Sequence, residues 1–232
     1  MEPVEATGLF SPAESERDLN SPAALLRADA EAVTFHGRES EVIDLRNWCE
    51  TGPVAVSVRV LTGPGGQGKT RLARHLTDAL SREGWVTGHL RADLTDHDPP
   101  PDFSPLTTAL PLLLVVDYAE TRPRLLCRLI THLHRSRHRV RVLLLARSDG
   151  QWRTGSLQAV ADVRDLLEEA PVIPLAPLMP TSQAAHDRRN AFYRAAHDFP
   201  ACPHTSGHPW PPRSVPPQTC TTTATTTSSP CR

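Results

Sequence analysis

Eight residues decide the fold that we expect for this chain: Gly63-Pro64-Gly65-Gly66-Gln67-Gly68-Lys69-Thr70. They match the pattern G-x-x-x-x-G-K-[ST] in full, in which glycine-rich backbone surrounds an anion and the lysine reaches its phosphates. Lys69 is also the single lysine among the 25 lysines and arginines of the chain. A compact ammonium on a flexible stem suits such a loop better than a planar guanidinium does. The stretch therefore predicts a phosphate-binding loop, against the alternative of a glycine-rich turn that happens to contain a lysine.

The residues on either side of this loop have the patterns of a strand and a helix. Val54–Leu61 is rich in β-branched residues, which predicts a largely buried strand. Arg71–Arg82 carries apolar residues at helical spacing, and Gly84 follows at the position of a C-cap. In this order the N–H groups of the loop and of the helix N-terminus face the phosphates. Thr70 would then place its hydroxyl on Mg²⁺.

Predicted strands and helices alternate along the rest of the chain. The expected strands cover residues 85–91, 112–116, 140–146 and 172–175, and the expected helices cover 21–32, 39–50, 124–135, 157–169 and 182–199. Residues 112–116 form an uninterrupted apolar run, as expected for a parallel sheet covered on both faces. The alternation predicts an α/β fold: a three-layer sandwich around a mostly parallel, five-stranded sheet with right-handed crossovers.

The length of 232 residues suits one sizeable domain with tails. We expect a flexible N-terminus over residues 1–20, a short helix over 21–33, a phosphate-loop domain over 34–200 and a disordered Pro/Thr-rich tail over 201–232. The tail has no acidic residue and a single branched aliphatic residue, Val215, so it cannot bury enough apolar area to fold alone. We interpret it as a shifted reading frame or an unrelated appended end, and the alternative is a genuine disordered tail.

Charge and hydropathy limit the partners of the chain. The net charge of −1 gives no overall attraction to nucleic acid, and no apolar run is long enough for a membrane helix. The acidic N-terminus lacks the features of a signal peptide, so we expect a cytoplasmic protein with free thiols. We interpret Arg135–Arg141 as a solvated loop rather than a nucleic-acid patch. The histidines at 132, 134 and 138 lack zinc-site spacing, and Cys202, His204, His208 and Cys220 lie in the low-complexity tail, so we expect zinc at neither place.

Three charged residues follow the ends of predicted strands and could act on a bound nucleotide. Asp117 fits a carboxylate that supports Mg²⁺, and Glu120 could polarise an attacking water. Arg147 could contact the γ-phosphate and report its presence. The alternatives are a turn residue for Asp117, a solvated helix-start carboxylate for Glu120 and a surface arginine for Arg147.

The spacing of these parts resembles the additional-strand division of P-loop NTPases. Within it, Phe35-His36-Gly37-Arg38-Glu39 is similar to a signature of STAND ATPases, the signal-transduction group that includes the NACHT and NB-ARC proteins. Leu114–Glu120 resembles their Walker B element, Leu144–Arg147 their sensor-1 strand, and Ile173–Leu178 their exit from the nucleotide domain. The resemblance implies that Gly37 and Arg38 lie near the base and ribose. Tyr118 departs from the pattern, because it replaces an acid beside Asp117.

These observations predict an ATP–Mg²⁺-binding domain of a nucleotide-gated signalling switch with slow ATP hydrolysis, part of a longer multidomain protein. The alternatives are an AAA-type ATPase or small-molecule kinase with real turnover, and a non-functional fragment. The family usually carries a helical or winged-helix domain, an effector module and sensor repeats, which this chain lacks. ATP is favoured over GTP because the chain has no Asn-Lys-x-Asp element. Besides the nucleotide, we expect a protein partner or self-association, which the sequence does not identify.

Overall fold

The computed structural model describes residues 8–11, 28, 30–52, 55–94, 101–150, 152–153, 161–178 and six residues between 189 and 198. The tail predicted over 201–232, and most of the helix predicted over 21–32, lie outside these described residues. Within the described part of the chain, no helix is long and apolar enough to cross a membrane.

The helices and strands confirm the predicted alternation, with boundaries shifted by a few residues at most where both ends are described. The helices are α1 Glu39–Thr51, α2 Lys69–Arg82, α3 Pro123–Leu133 and α4 Ala161–Glu168, and the strands are β1 Val56–Thr62, β2 Val86–His89, β3 Leu112–Val116, β4 Val140–Ala146 and β5 Val172–Pro174. The described residues between 189 and 198 are helical, in agreement with the last predicted helix. Gly84, with φ +88°, follows the C-terminus of α2 as expected.

The sheet has five parallel strands in the order β2-β3-β4-β1-β5. Strand β4 therefore lies between β1, which leads into the glycine loop, and β3, which leads into Asp117. In β4, Leu144 aligns with Val60 of β1 and with Val116 of β3. This order confirms the predicted α/β sandwich of the additional-strand type. It also brings the carboxyl ends of β1, β3 and β4 to one edge of the sheet.

Two apolar layers cover the sheet, because alternate side chains of a strand point to opposite faces. On one face, Leu113 and Val115 of β3 pack with α1 and α2. On the other, Leu112, Leu114 and Val116 pack with α3 and α4. All five residues of β3 are fully buried, which explains the uninterrupted apolar run in the sequence.

Arg141 is an exception to the solvated loop predicted over 135–141. Arg135, Arg137, His138 and Arg139 are exposed, but Arg141 lies within β4 and is completely buried. Its guanidinium donates to carbonyl oxygens at the C-terminus of α1 and just beyond it: Trp48 O, Gly52 O and Ala55 O, each at 3.2 Å. Trp48 O and Gly52 O lie at the C-terminus of α1, where carbonyls lack helical partners and the helix dipole is negative, so a buried cation is tolerated there. Ala55 O, beyond the helix, also accepts from Val140 N at 2.7 Å.

Residues 8–11 add a short antiparallel segment to the edge strand β2. Ser11 N donates to His89 O at 2.7 Å, and Arg91 N donates to Leu9 O at 2.9 Å. Leu9 is buried in the core, and the Phe10 ring lies over Gly88, where an added Cβ would meet it at 2.5 Å. This pairing falls within the N-terminus that the sequence led us to describe as flexible, and its composition gave no sign of it.

Candidate functional site

The glycine loop connects β1 to α2 and leaves open space above its backbone. Gly66 and Gly68 have φ of +79° and +85°, and Gly68 is the N-cap of α2. A side chain would be strained at either position, since these backbone angles favour glycine. A Cβ placed on Gly65, Gly66 or Gly68 would meet no atom within 4 Å. The loop is thus an unfilled concavity at a helix N-terminus, which is a favourable place for an anion.

Lys69 lies at the start of α2 with its ammonium turned back to the beginning of the loop. Its Nζ donates to Gly63 O at 2.5 Å and to Pro64 O at 3.1 Å. Both acceptors are neutral carbonyls, so the positive charge of Lys69 is not neutralised by these contacts. The ammonium is therefore available to a negatively charged ligand in the loop.

Thr70 and Asp117 are brought into direct contact across the sheet edge. Thr70 Oγ1 donates to Asp117 Oδ2 at 2.7 Å, although 47 positions separate the two residues in the sequence. The contact joins the first turn of α2 to the end of β3. A hydroxyl and a carboxylate so placed suit Mg²⁺, which in such sites takes one or two protein ligands and completes its shell with phosphate and water. The described residues hold no group of three or more His, Cys, Asp or Glu side chains that could bind a metal by themselves.

A tight turn after Asp117 returns Glu120 to the sheet edge. Tyr118 adopts the left-handed conformation, with φ 51° and ψ 45°, which is uncommon for a residue with a side chain. Glu120 Oε1 then accepts from the backbone N–H of Arg147 at 3.2 Å. Glu120 Oε2 is buried and has no hydrogen-bond partner among the described residues.

Arg147 follows β4 and is exposed at the same edge. Its guanidinium carbon lies 5.8 Å from the centre of the Tyr118 ring, within the range of a cation–π contact. The structure thus brings together Asp117, Glu120 and Arg147, three residues predicted to act at the site. Their roles toward a nucleotide stay predictions.

Arg38 connects three segments that are distant in sequence. Its side chain is 6% exposed and pairs with Glu41 at 2.7 Å. Its Nη2 donates to Ala176 O, after β5, at 2.7 Å and to Gln67 O, in the glycine loop, at 3.3 Å. Arg38 therefore lies beside the glycine loop, and its guanidinium holds protein groups. A direct contact with the nucleotide stays a prediction for Arg38 and for its neighbour Gly37.

A cavity of about 450 Å³ lies next to the residues that precede Arg38. Thr34–His36 line one side of it, and Tyr193, Arg194, His197 and Asp198 line the other. Asp198 Oδ2 accepts from Thr34 N at 2.9 Å and so joins the two sides. The Phe35 ring stacks on His75 of α2, with ring centres 4.0 Å apart.

Arg122 is a site residue that the sequence analysis missed. It is 6% exposed, and it donates to the main-chain oxygen of Asp117 and, at 2.8 Å, to that of Arg91. Nothing in the local spacing marks it, because it is one arginine in a chain rich in them. The one feature of the sequence that could have indicated Arg122 is its position five residues after Asp117.

Comparisons with known proteins give matches among solved structures alone. No protein-family model matches the chain, and no curated protein matches it in sequence. The structure of Cdc6p from Pyrobaculum aerophilum is similar over 77% of this chain and 52% of the Cdc6p chain, at 18% identity and a TM-score of 0.49. The Aeropyrum pernix ORC2 protein is similar over 61% of this chain and 48% of its own chain, at 18% identity and a TM-score of 0.41.

A third similar structure is AMPPCP-bound DnaA from Aquifex aeolicus, which matches 68% of this chain and 51% of its own, at 14% identity and a TM-score of 0.42. The chain therefore spans about half the length of these three structures. The strand order and the geometry of the glycine loop are those of an α/β P-loop NTPase fold.

Proposed function

We propose that this chain binds ATP together with Mg²⁺ and belongs to the STAND class of nucleotide-gated signalling switches. The observation that carries the proposal is the contact between Thr70 and Asp117 at the end of an open glycine loop. A loop that merely turned the chain would require neither an unfilled concavity nor a carboxylate from another strand beside its threonine.

The residues divide into those that hold phosphate and those that hold the metal. The backbone of Gly63–Thr70, through the N–H groups of its residues other than Pro64, and the ammonium of Lys69 would bind the β- and γ-phosphates. Thr70 and Asp117 would hold Mg²⁺, which supplies charge neutralisation on the phosphates when it is bound. Arg147, exposed beside Tyr118, would contact the γ-phosphate and distinguish ATP from ADP.

The cavity beside Thr34–His36 is the candidate site for the base. Its lining residue His36 lies two positions before Arg38, whose guanidinium contacts Gln67 O of the glycine loop. This arrangement supports the STAND resemblance, in which the segment Phe35–Glu39 lies near the base and ribose.

Glu120 supports a second candidate, an ATPase of the AAA type with real turnover. The Arg147 N–H holds one carboxylate oxygen of Glu120, and the other is a buried acceptor without a described partner, which a water enclosed in the site would satisfy. Steady-state and single-turnover rates separate the two candidates. A turnover enzyme should reach about 1 s⁻¹ or more, whereas a switch should hydrolyse its bound ATP once, slowly.

The proposal is tested by titrating the purified chain with ATP, with and without Mg²⁺. Asp117→Asn should remove most of the affinity that Mg²⁺ adds, because the carboxylate supports the metal. Glu120→Gln should preserve binding and lower hydrolysis, because its role is toward water. Glu169→Gln is a matched control: it makes the same chemical change at an exposed acid that follows α4 and is not among the proposed site residues.

Two outcomes would contradict the proposal. One is an ATP affinity of the wild-type chain that is undetectable or indifferent to Mg²⁺. The other is an equal loss of binding in Asp117→Asn and Glu120→Gln, which would refute the division of roles.

A further inference from the structure

The main-chain oxygen of Asp117 is held by a buried guanidinium. Asp117 follows the last residue of β3, so its carbonyl lies beyond the regular pairing of that strand. Arg122 reaches back from the start of α3 and donates to this oxygen through Nη2. A hydrogen bond from a charged donor is stronger than one from a neutral donor, and here it acts on the residue proposed to support Mg²⁺.

The same turn contains a strained residue that needs support. Tyr118 adopts the left-handed conformation, and such residues persist only where surrounding contacts hold them. Two contacts from Thr121 hold the Tyr118 carbonyl, one from its N–H at 3.0 Å and one from its hydroxyl at 2.8 Å. Arg122 holds the other side of the turn, at Asp117. Arg122 thus holds the main chain of Asp117, while its carboxylate accepts from the Thr70 hydroxyl at 2.7 Å and from the Tyr118 N–H at 2.9 Å.

The second contact of Arg122 leads away from the site. Its Nη1 donates to Arg91 O at 2.8 Å, just after β2. Arg91 in turn binds the N-terminal segment, through its N–H to Leu9 O at 2.9 Å and through Nη1 to Gly8 O at 3.4 Å. Hydrogen bonds thus run without interruption from residues 8–11 through Arg91 and Arg122 to Asp117.

We propose that Arg122 is a positioning residue for Asp117 and that it couples the docking of residues 8–11 on β2 to the Mg²⁺ site. The proposal rests on the proposed function for its Mg²⁺ part. When residues 8–11 are paired with β2, Arg91 O is fixed and Arg122 can serve both carbonyls at once. When they are released, Arg91 N loses its acceptor, Leu9 O. Among the described residues, the main chain around Arg91 is then held by Arg122 and by the bond from Leu90 N to Val115 O, so the hold on Asp117 weakens.

The test compares ATP affinity with and without Mg²⁺ in full-length variants. Arg122→Gln should reduce the Mg²⁺-dependent gain in affinity by about tenfold, and affinity without Mg²⁺ should stay unchanged. Phe10→Ala, which weakens docking over Gly88 far from the site, should reduce the same gain by about threefold. The double variant should equal Arg122→Gln alone, because both changes act through one path. Arg124→Gln, an exposed arginine on the same helix, is the matched control.

A second measurement needs no nucleotide. Amide hydrogen exchange of residues 117–122 should be faster in Arg122→Gln and in Phe10→Ala than in the wild type and in Arg124→Gln. The Phe10→Ala result decides the matter should Arg122→Gln not fold. Unchanged exchange in Phe10→Ala, an equal affinity loss with and without Mg²⁺, or additive losses in the double variant would overturn the proposal. A wild-type chain that gains nothing from Mg²⁺ would instead refute the proposed function, and the exchange rates would still decide the coupling.

Discussion

Replacing Lys69 by alanine tests the phosphate assignment most directly. A hydrogen bond to a charged group contributes about 1.5–3 kcal/mol, and each 1.4 kcal/mol is about tenfold in affinity. In the structure Lys69 Nζ already donates to Gly63 O and Pro64 O. Part of this interaction must be given up when the ammonium turns to a phosphate. We therefore expect Lys69→Ala to weaken ATP binding by about tenfold to a hundredfold.

Titration calorimetry with ATP–Mg²⁺ measures this loss, and thermal unfolding checks that the fold is retained. Arg82→Ala is the matched control, because it removes one positive charge from the opposite end of the same helix, about 20 Å away. Lys69→Arg should also be impaired, since a planar guanidinium does not fit the loop. An unchanged affinity in Lys69→Ala, with the fold intact, would refute the assignment of Lys69 to phosphate.

Two further predictions concern stability and use denaturant unfolding. Burial, with a smaller contribution from Arg74, lowers the pKa of His89 to about 4 from 6.5. His89 is therefore harder to protonate in the folded state than in the unfolded state. Its contribution to the free energy of unfolding should be fully present above pH 6.5 and should be lost between pH 6.5 and 4, by at most about 3 kcal/mol. His89→Gln should flatten this dependence, and an unchanged slope would contradict it. Gly88→Ala should cost about 1–3 kcal/mol, because its Cβ would meet the Phe10 ring at 2.5 Å. Combining it with Phe10→Ala should remove the steric part, and a purely additive loss would show that the ring is not the cause.

The sequence predicted the fold closely wherever local pattern and burial agree. The bounds of β3 and β4 were predicted to the residue, because strands covered on both faces leave continuous apolar runs. The glycine motif placed α2 correctly, since a phosphate loop of this pattern requires a helix after it.

The errors and omissions have one physical cause: long-range contacts that carry no local periodicity. Arg141 was predicted to be solvated, yet it is buried, because the carbonyls that accept its hydrogen bonds belong to a segment some 90 positions earlier. Arg122 was missed for the same reason, as one of its acceptors lies 31 positions away. The pairing of residues 8–11 with β2 likewise depends on Gly88, whose missing side chain makes room for Phe10.

The position of Arg38 has a consequence for how the glycine loop and the rest of the chain move. One nitrogen of this buried side chain serves both Gln67 O and Ala176 O. Two residues after Ala176, the Leu178 side chain packs against Gly37. A Cβ added to Gly37 would lie 3.0 Å from Leu178 Cδ1, so the segments around Arg38 are closely packed. If the Gln67 peptide turns its carbonyl while a phosphate enters the loop, Arg38 must either release it or shift, and a shift displaces the strand exit at Ala176. The glycine loop and the segment that leaves the sheet after β5 are thus joined by a single guanidinium.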